Sequence, residues 1–201
     1  MQNFFGRVLF LILCVSSFAY GQDLGIDSPE KVIVGGGVGV FRISYDDFSE
    51  LYDGRSGFMY GGQVLYKVYA PYFLVAKLNI FEKSGVRDST GNELNWRQRG
   101  INVGVRYVSY RDRKLVSYFG FGFVFYNIKE EGALSLFNAG DGSRNATGLF
   151  LGGGLEYRFV KRASVFFDVE VSSAGLKGKS GFQGNSVGGF SIGLGMNFFL
   201  L

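Results

Sequence analysis

The sequence predicts an all-β chain, an antiparallel up-and-down barrel of eight transmembrane strands preceded by a cleavable signal peptide. Three observations predict it. Apolar residues recur with a period of two along nearly all of the chain after residue 21. The alternating stretches run about 11 to 15 residues, longer than the ordinary soluble strand and long enough to cross a bilayer at a tilt. The connections between them alternate strictly between long and short, which an up-and-down membrane barrel requires and a soluble sandwich does not.

The amino terminus stands apart. Arg7 is the only charge in residues 1–21, Val8 to Val15 is wholly apolar, and Ala19-Tyr20-Gly21 places small residues at the −3 and −1 cleavage positions. The apolar run is too short for a membrane helix and reads as a secretory leader removed after Gly21. Cys14 raises the question of a lipid anchor. Leu13 fills the preceding position, where small residues are the rule, and no polar stretch follows. The mature domain is therefore residues 22–201, and loss of Arg7 lowers the formal net charge of +4 by one. Cys14 is the sole cysteine, so this domain has neither disulfide nor thiolate chemistry.

Eight strands follow, at about 31–44, 58–69, 72–83, 96–110, 115–128, 147–160, 163–173 and 187–200. The seventh shows the pattern most plainly. Val165, Phe167, Val169 and Val171 share one face; Phe166, Asp168, Glu170 and Ser172 share the other. In the sixth, Leu149, Leu151, Leu155, Tyr157 and Phe159 oppose Phe150, Gly152, Gly154, Glu156 and Arg158. In the eighth, Phe190, Ile192, Leu194, Met196, Phe198 and Leu200 oppose Ser191, Gly193, Gly195, Asn197 and Phe199. Tight turns are expected at Ala70-Pro71, Arg111 to Lys114 and Lys161-Arg162. Long polar loops are expected near 45–57, 84–95, 129–146 and 174–186.

Composition agrees. The chain has 32 Gly, 22 Phe and 12 Tyr with only 2 Pro. Disordered glycine-rich chains lack such aromatics, whereas strands that curve tightly and carry a broad apolar face need both. No stretch after residue 21 is apolar enough for a membrane helix. Lys and Arg are not clustered, so no nucleic-acid surface is expected.

Alternation alone does not say which face meets lipid. Glycines fall mostly on the polar face, at Gly35, Gly37, Gly39, Gly61, Gly104, Gly120, Gly122, Gly152, Gly154, Gly193 and Gly195. An eight-stranded barrel has room inside only for packed side chains, so small residues belong on its inner wall. The other face carries Phe119, Phe121, Phe123 and Phe125 in succession, a row that would overfill so narrow a lumen. The apolar face is thus expected outward. The inner wall then holds a charge network of Lys67, Lys77, Arg106, Glu156, Arg158, Asp168 and Glu170. Such charges must pair or take water. Arg158 and Asp168, on strands joined by a tight turn, are expected to pair. Near-balanced charge favours a plugged lumen over an ion path. Alanine at the inner-wall Gly122 is expected to be milder than arginine on the outer face.

Chemical motifs are few. The runs Gly35-Gly36-Gly37-Val38-Gly39 and Gly152-Gly153-Gly154 lie inside strands, where no helix N-terminus can hold a phosphate. The acidic first loop (Asp46, Asp47, Glu50, Asp53) has no EF-hand spacing and reads as a solvated face. Asn145-Ala146-Thr147 fits the glycosylation pattern, which carries no meaning in a bacterial outer membrane. The chain contains no histidine, which removes the usual general base of barrel hydrolases and acyltransferases. No catalytic, cofactor or metal residues are assigned.

The terminal strand Gly193-Leu194-Gly195-Met196-Asn197-Phe198-Phe199-Leu200-Leu201 and the strand core from Thr147 to Phe159 resemble those of OmpA/OmpX-like β-barrel domains. The resemblance spans the mature chain. It implies an integral outer-membrane protein of a Gram-negative bacterium, in contact with outer-membrane lipid and assembled by the barrel-assembly machinery. In that family the last residue is usually aromatic, and this chain ends Phe199-Leu200-Leu201. The expected function is non-enzymatic, structural or surface-interacting through four extracellular loops. The alternatives are a narrow passive channel for ions or small solutes and a soluble periplasmic carrier of lipophilic ligands.

Overall fold

The computed structural model describes residues 31–46, 48–52, 54–85, 94–110, 114–131, 144–176 and 186–200. The expected leader, its cleavage site and Cys14 lie outside them. Eight strands close into one barrel in chain order: β1 (Val32–Ile43), β2 (Ser56–Tyr69), β3 (Tyr72–Ser84), β4 (Asn95–Tyr110), β5 (Leu115–Glu131), β6 (Arg144–Val160), β7 (Ala163–Leu176) and β8 (Gly189–Leu200). β1 pairs antiparallel with both β2 and β8, so the sheet has no open edge. In a bilayer, where water cannot satisfy a free backbone group, closure is the condition for strands to span at all.

Each strand coincides with a stretch expected from alternation. β5 and β6 run beyond it at their outer ends because polar residues continue the ladder after the apolar pattern stops. Asn127 pairs with Asn145 in register, and its side-chain amide donates to the Asn145 carbonyl oxygen at 2.9 Å. The strands are staggered. Partners followed from Gly36 through Gly62, Leu78, Ile101, Phe125, Thr147 and Gly175 arrive at Ser186, whereas Gly36 itself pairs with Met196. Such a shear is what tilts the strands of a closed barrel.

The apolar face is outside. Phe121, Phe123 and Leu194 are 57%, 62% and 62% exposed, and Val103, Leu149 and Ile192 join them around the wall. Tyr66, Tyr69, Tyr72 and Tyr157 ring the end with the tight turns, where Tyr72 meets Tyr107 edge-on at 5.7 Å. A belt of amphipathic rings at the edge of an apolar band marks a membrane interface. This corrects the carrier alternative, which needs the apolar face within.

Inside, glycines are sockets for aromatic rings. A Cβ on Gly100 would lie 2.6 Å from the Tyr126 ring, and one on Gly122 2.9 Å from that of Phe150. The rings of Phe166 and Tyr118 are seated likewise against Gly195 and Gly154. The buried interior is layered. Ile33, Leu65, Phe73, Val75, Val108, Val116 and Phe199 fill the tight-turn end, and polar side chains occupy the middle.

The opposite end differs from expectation. The β1–β2 connection, read as a polar surface loop, forms one helical turn, α1 (Phe48–Leu51), whose aromatic side enters the barrel mouth. Phe48 and Tyr52 are both fully buried and stack at 4.4 Å between ring centres. Phe48 packs edge-on against Trp96 at 5.1 Å, and Tyr52 against the same ring at 5.9 Å. Two residues four apart share a face of a helical turn, a period that alternation does not detect. Of the four acids in this stretch, Asp46 pairs with Arg55 at 3.2 Å, while Asp47 and Asp53 lie outside the described residues.

Candidate functional site: the polar layer of the lumen

Period two places Lys77 (β3), Arg106 (β4), Glu156 and Arg158 (β6) and Asp168 and Glu170 (β7) on the inner wall. The barrel brings them together across the lumen. The Lys77 ammonium sits between two carboxylates, against Asp168 and at 2.9 Å from Glu170. The second Glu170 oxygen accepts from the Asn102 amide at 2.6 Å. The second Asp168 oxygen accepts from the Tyr118 hydroxyl at 3.1 Å, and the Arg106 guanidinium lies 4.2 Å over the Tyr118 ring.

The chain of contacts continues toward the tight turns. Arg106 donates to the Gln63 carbonyl oxygen at 3.1 Å, Gln63 donates to Asn197 at 2.9 Å, and Asn197 donates to Glu156 at 3.0 Å. Glu156 faces the Arg158 guanidinium at 3.5 Å, and Arg158 covers the Phe199 ring at 4.3 Å. One connected network thus crosses the barrel, with three cations (Lys77, Arg106, Arg158) and three anions (Glu156, Asp168, Glu170). Lys67, the seventh charge, lies nearer the tight turns, opposite Phe73 where the β2–β3 ladder shifts register.

The expected Arg158–Asp168 pair is not formed. A hairpin pairs residues equidistant from its turn. Arg158 lies three positions before the Lys161-Arg162 turn and Asp168 six after it, and with a one-residue register shift between Arg158 and Val160, Arg158 faces Ser164 and Asp168 faces Gly154. Four residues of strand separate them, about 13 Å at ~3.3 Å per residue. Asp168 reaches across the lumen to Lys77 instead.

Sequence reasoning missed Gln63, Asn102, Tyr118 and Asn197. They occupy inward positions of the same alternation, but a search for charge passes over neutral side chains. They supply the links: without Gln63 and Asn197, Arg106 and Glu156 would belong to separate clusters. A cavity of about 50 Å³ remains beside them, lined by Gln63, Lys77, Asn79, Asp168, Glu170 and the bare backbone of Gly37 and Gly61. It has room for a few water molecules.

The profile of the outer membrane protein beta-barrel domain matches residues 5–198. The chain belongs to this family. Solved outer-membrane barrels share its fold at low sequence identity. OprG of Pseudomonas aeruginosa is 14% identical, covering 85% of this chain and 96% of that one, with a TM-score of 0.62. Neisserial surface protein A is 10% identical, covering 84% and 96%, at 0.61. Ail of Yersinia pestis, in complex with the heparin analogue sucrose octasulfate, is 14% identical, covering 85% and 99%, at 0.53. A comparison with curated proteins gave no match. The outer-membrane barrel therefore resides in the outer membrane of a Gram-negative cell, its exposed apolar wall against lipid.

Proposed function

We propose that this outer-membrane barrel is a non-enzymatic structural protein with a sealed lumen, whose outer connections make its surface contacts. The observation that carries the reading is the network from Arg158 to Asn102, which links three cations and three anions through ion pairs and neutral hydrogen-bonding side chains across a narrow bore. Its carboxylates are engaged by ammonium, guanidinium, amide or phenol groups, and no histidine stands by to move a proton. The aromatic cap of Phe48, Tyr52 and Trp96 closes the bore a second time. With the first connection turned inward, surface contact falls to the other three.

Planar-bilayer recording, run beside urea unfolding of the parent, Lys77→Ala, Asp168→Ala and the double variant, tests this. The parent should conduct poorly. Lys77→Ala leaves Asp168 and Glu170 without their shared cation and should cost about 3–5 kcal/mol, less where lumen water reaches them; Asp168→Ala leaves Lys77 with Glu170 and should cost less. The double variant should cost less than their sum. Large, selective conductance with small additive stability changes would mean a pore.

A further inference from the structure

We propose that Arg99 and Lys129, with Arg97 beside them, form a site on the outer wall for phosphate groups of outer-leaflet glycolipids. The register assembles it. Arg97 lies directly opposite Lys129 on β5 and opposite Glu82 on β3, and Arg99 lies diagonal to Lys129 on the same face. Like charges directly opposite on neighbouring strands repel. Glu82 offsets one of the three, its carboxylate 2.5 Å from the Arg97 guanidinium. Glu131 stands a step further out, opposite Asn95. Arg99 and Lys129 have no acidic partner among the described residues.

Their position names the partner. Directly beneath Arg99 on the same face are Ile101 and Val103, and beneath Lys129, past Asn127, are Phe125, Phe123 and Phe121. The cations therefore stand where the apolar band ends, on the side from which the long connections leave, the external side in barrels of this kind. Long basic side chains at that depth extend to the headgroup level. An arginine fork and a lysine point charge are the groups that bind phosphate, the first in bidentate fashion. In a Gram-negative outer leaflet, the phosphates at this level belong to the glycolipid. Membrane-facing clusters of Lys and Arg bind anionic headgroups by the same physics. Elsewhere on the wall, Arg42 is flanked by Ser56 and Phe190 and has no basic neighbour in register. The proposal does not depend on whether the lumen conducts.

The test uses the full chain in phosphatidylcholine nanodiscs, titrated with phosphorylated lipid A, with the same glycolipid stripped of phosphate, and with inorganic phosphate as soluble competitor. Phosphorylated lipid A should bind and raise the unfolding temperature. The Arg99→Gln/Lys129→Gln variant should bind it about tenfold or more weakly, at two lost headgroup contacts. Arg42→Gln should bind as the parent does, and Arg99→Lys should fall between. Heat-modifiable gel mobility shows that each variant is folded. Equal binding of the dephosphorylated lipid, or undiminished binding by the double variant, overturns the proposal. Displacement of the lipid by inorganic phosphate would identify a free-anion site and also overturn it.

Discussion

Gly122 shows how much the inner wall depends on single atoms. It faces Gly104 across the β4–β5 ladder, and a Cβ there would stand 2.5 Å from the Gly104 Cα, hard against the Val103 carbonyl, and 2.9 Å from the Phe150 ring. Two of these neighbours are backbone, which cannot swing aside. Gly122→Ala, read from sequence as milder than arginine on the outer face, is therefore expected to destabilise by about 1–3 kcal/mol, the range of core overpacking. At Gly193 the nearest atom is the Val38 carbonyl at 3.3 Å, so Gly193→Ala should fold with little loss in the same urea titration. Equal costs at the two sites would show that wall contacts do not set glycine placement. The sequence indicated where glycines sit, because alternation places them on one face. It did not indicate which rings they receive: the ring that lies over Gly122 comes from β6, and strand order must be known first.

At the level of elements, the strands were legible and the caps were not. A period of two located all eight because every strand has one face in lipid, which keeps that face apolar across the hydrocarbon band. On that face a charge has nowhere to go. Phe121→Arg, Leu151→Arg and Val169→Arg should each impair assembly, at about 2–4 kcal/mol for a site near mid-membrane. Folded, heat-modifiable protein from all three would show that the faces are inverted. The inward turn of α1 obeys a different rule. Tyr52 donates to Glu130 at 2.8 Å, and burial, then the nearby carboxylate, holds its phenol above the ordinary tyrosine range. A raised folded-state pKa contributes stability that is complete below about pH 10, where an unfolded tyrosine titrates, and is lost as pH climbs further. In an alkaline spectrophotometric titration, the late-ionising absorbance should fall by one tyrosine equivalent in Tyr52→Phe, with the early phase of the exposed tyrosines unchanged.

For the whole molecule, the barrel joins three regions by cross-lumen contacts that no local pattern announces. Lys77 and Asp168 are 91 residues apart in sequence, and their pairing follows only once the sheet has closed. The seven charges could be named in advance; their partners could not, because register and shear decide which side chains face each other across a closed wall. Maturation belongs to this scale too. Intact-mass measurement of membrane-extracted protein should give a chain beginning at Gln22, and a lipid-modified chain beginning at Cys14 would reverse that expectation. The cap also carries its own optical probe. Trp96 is the only tryptophan in the chain and lies beneath Phe48 and Tyr52 at the barrel mouth. Its emission should be blue-shifted and shielded from acrylamide in the closed state. Movement of α1 out of the mouth would expose the indole while the strands stay intact, so mouth opening and barrel unfolding become separable events in one unlabelled sample.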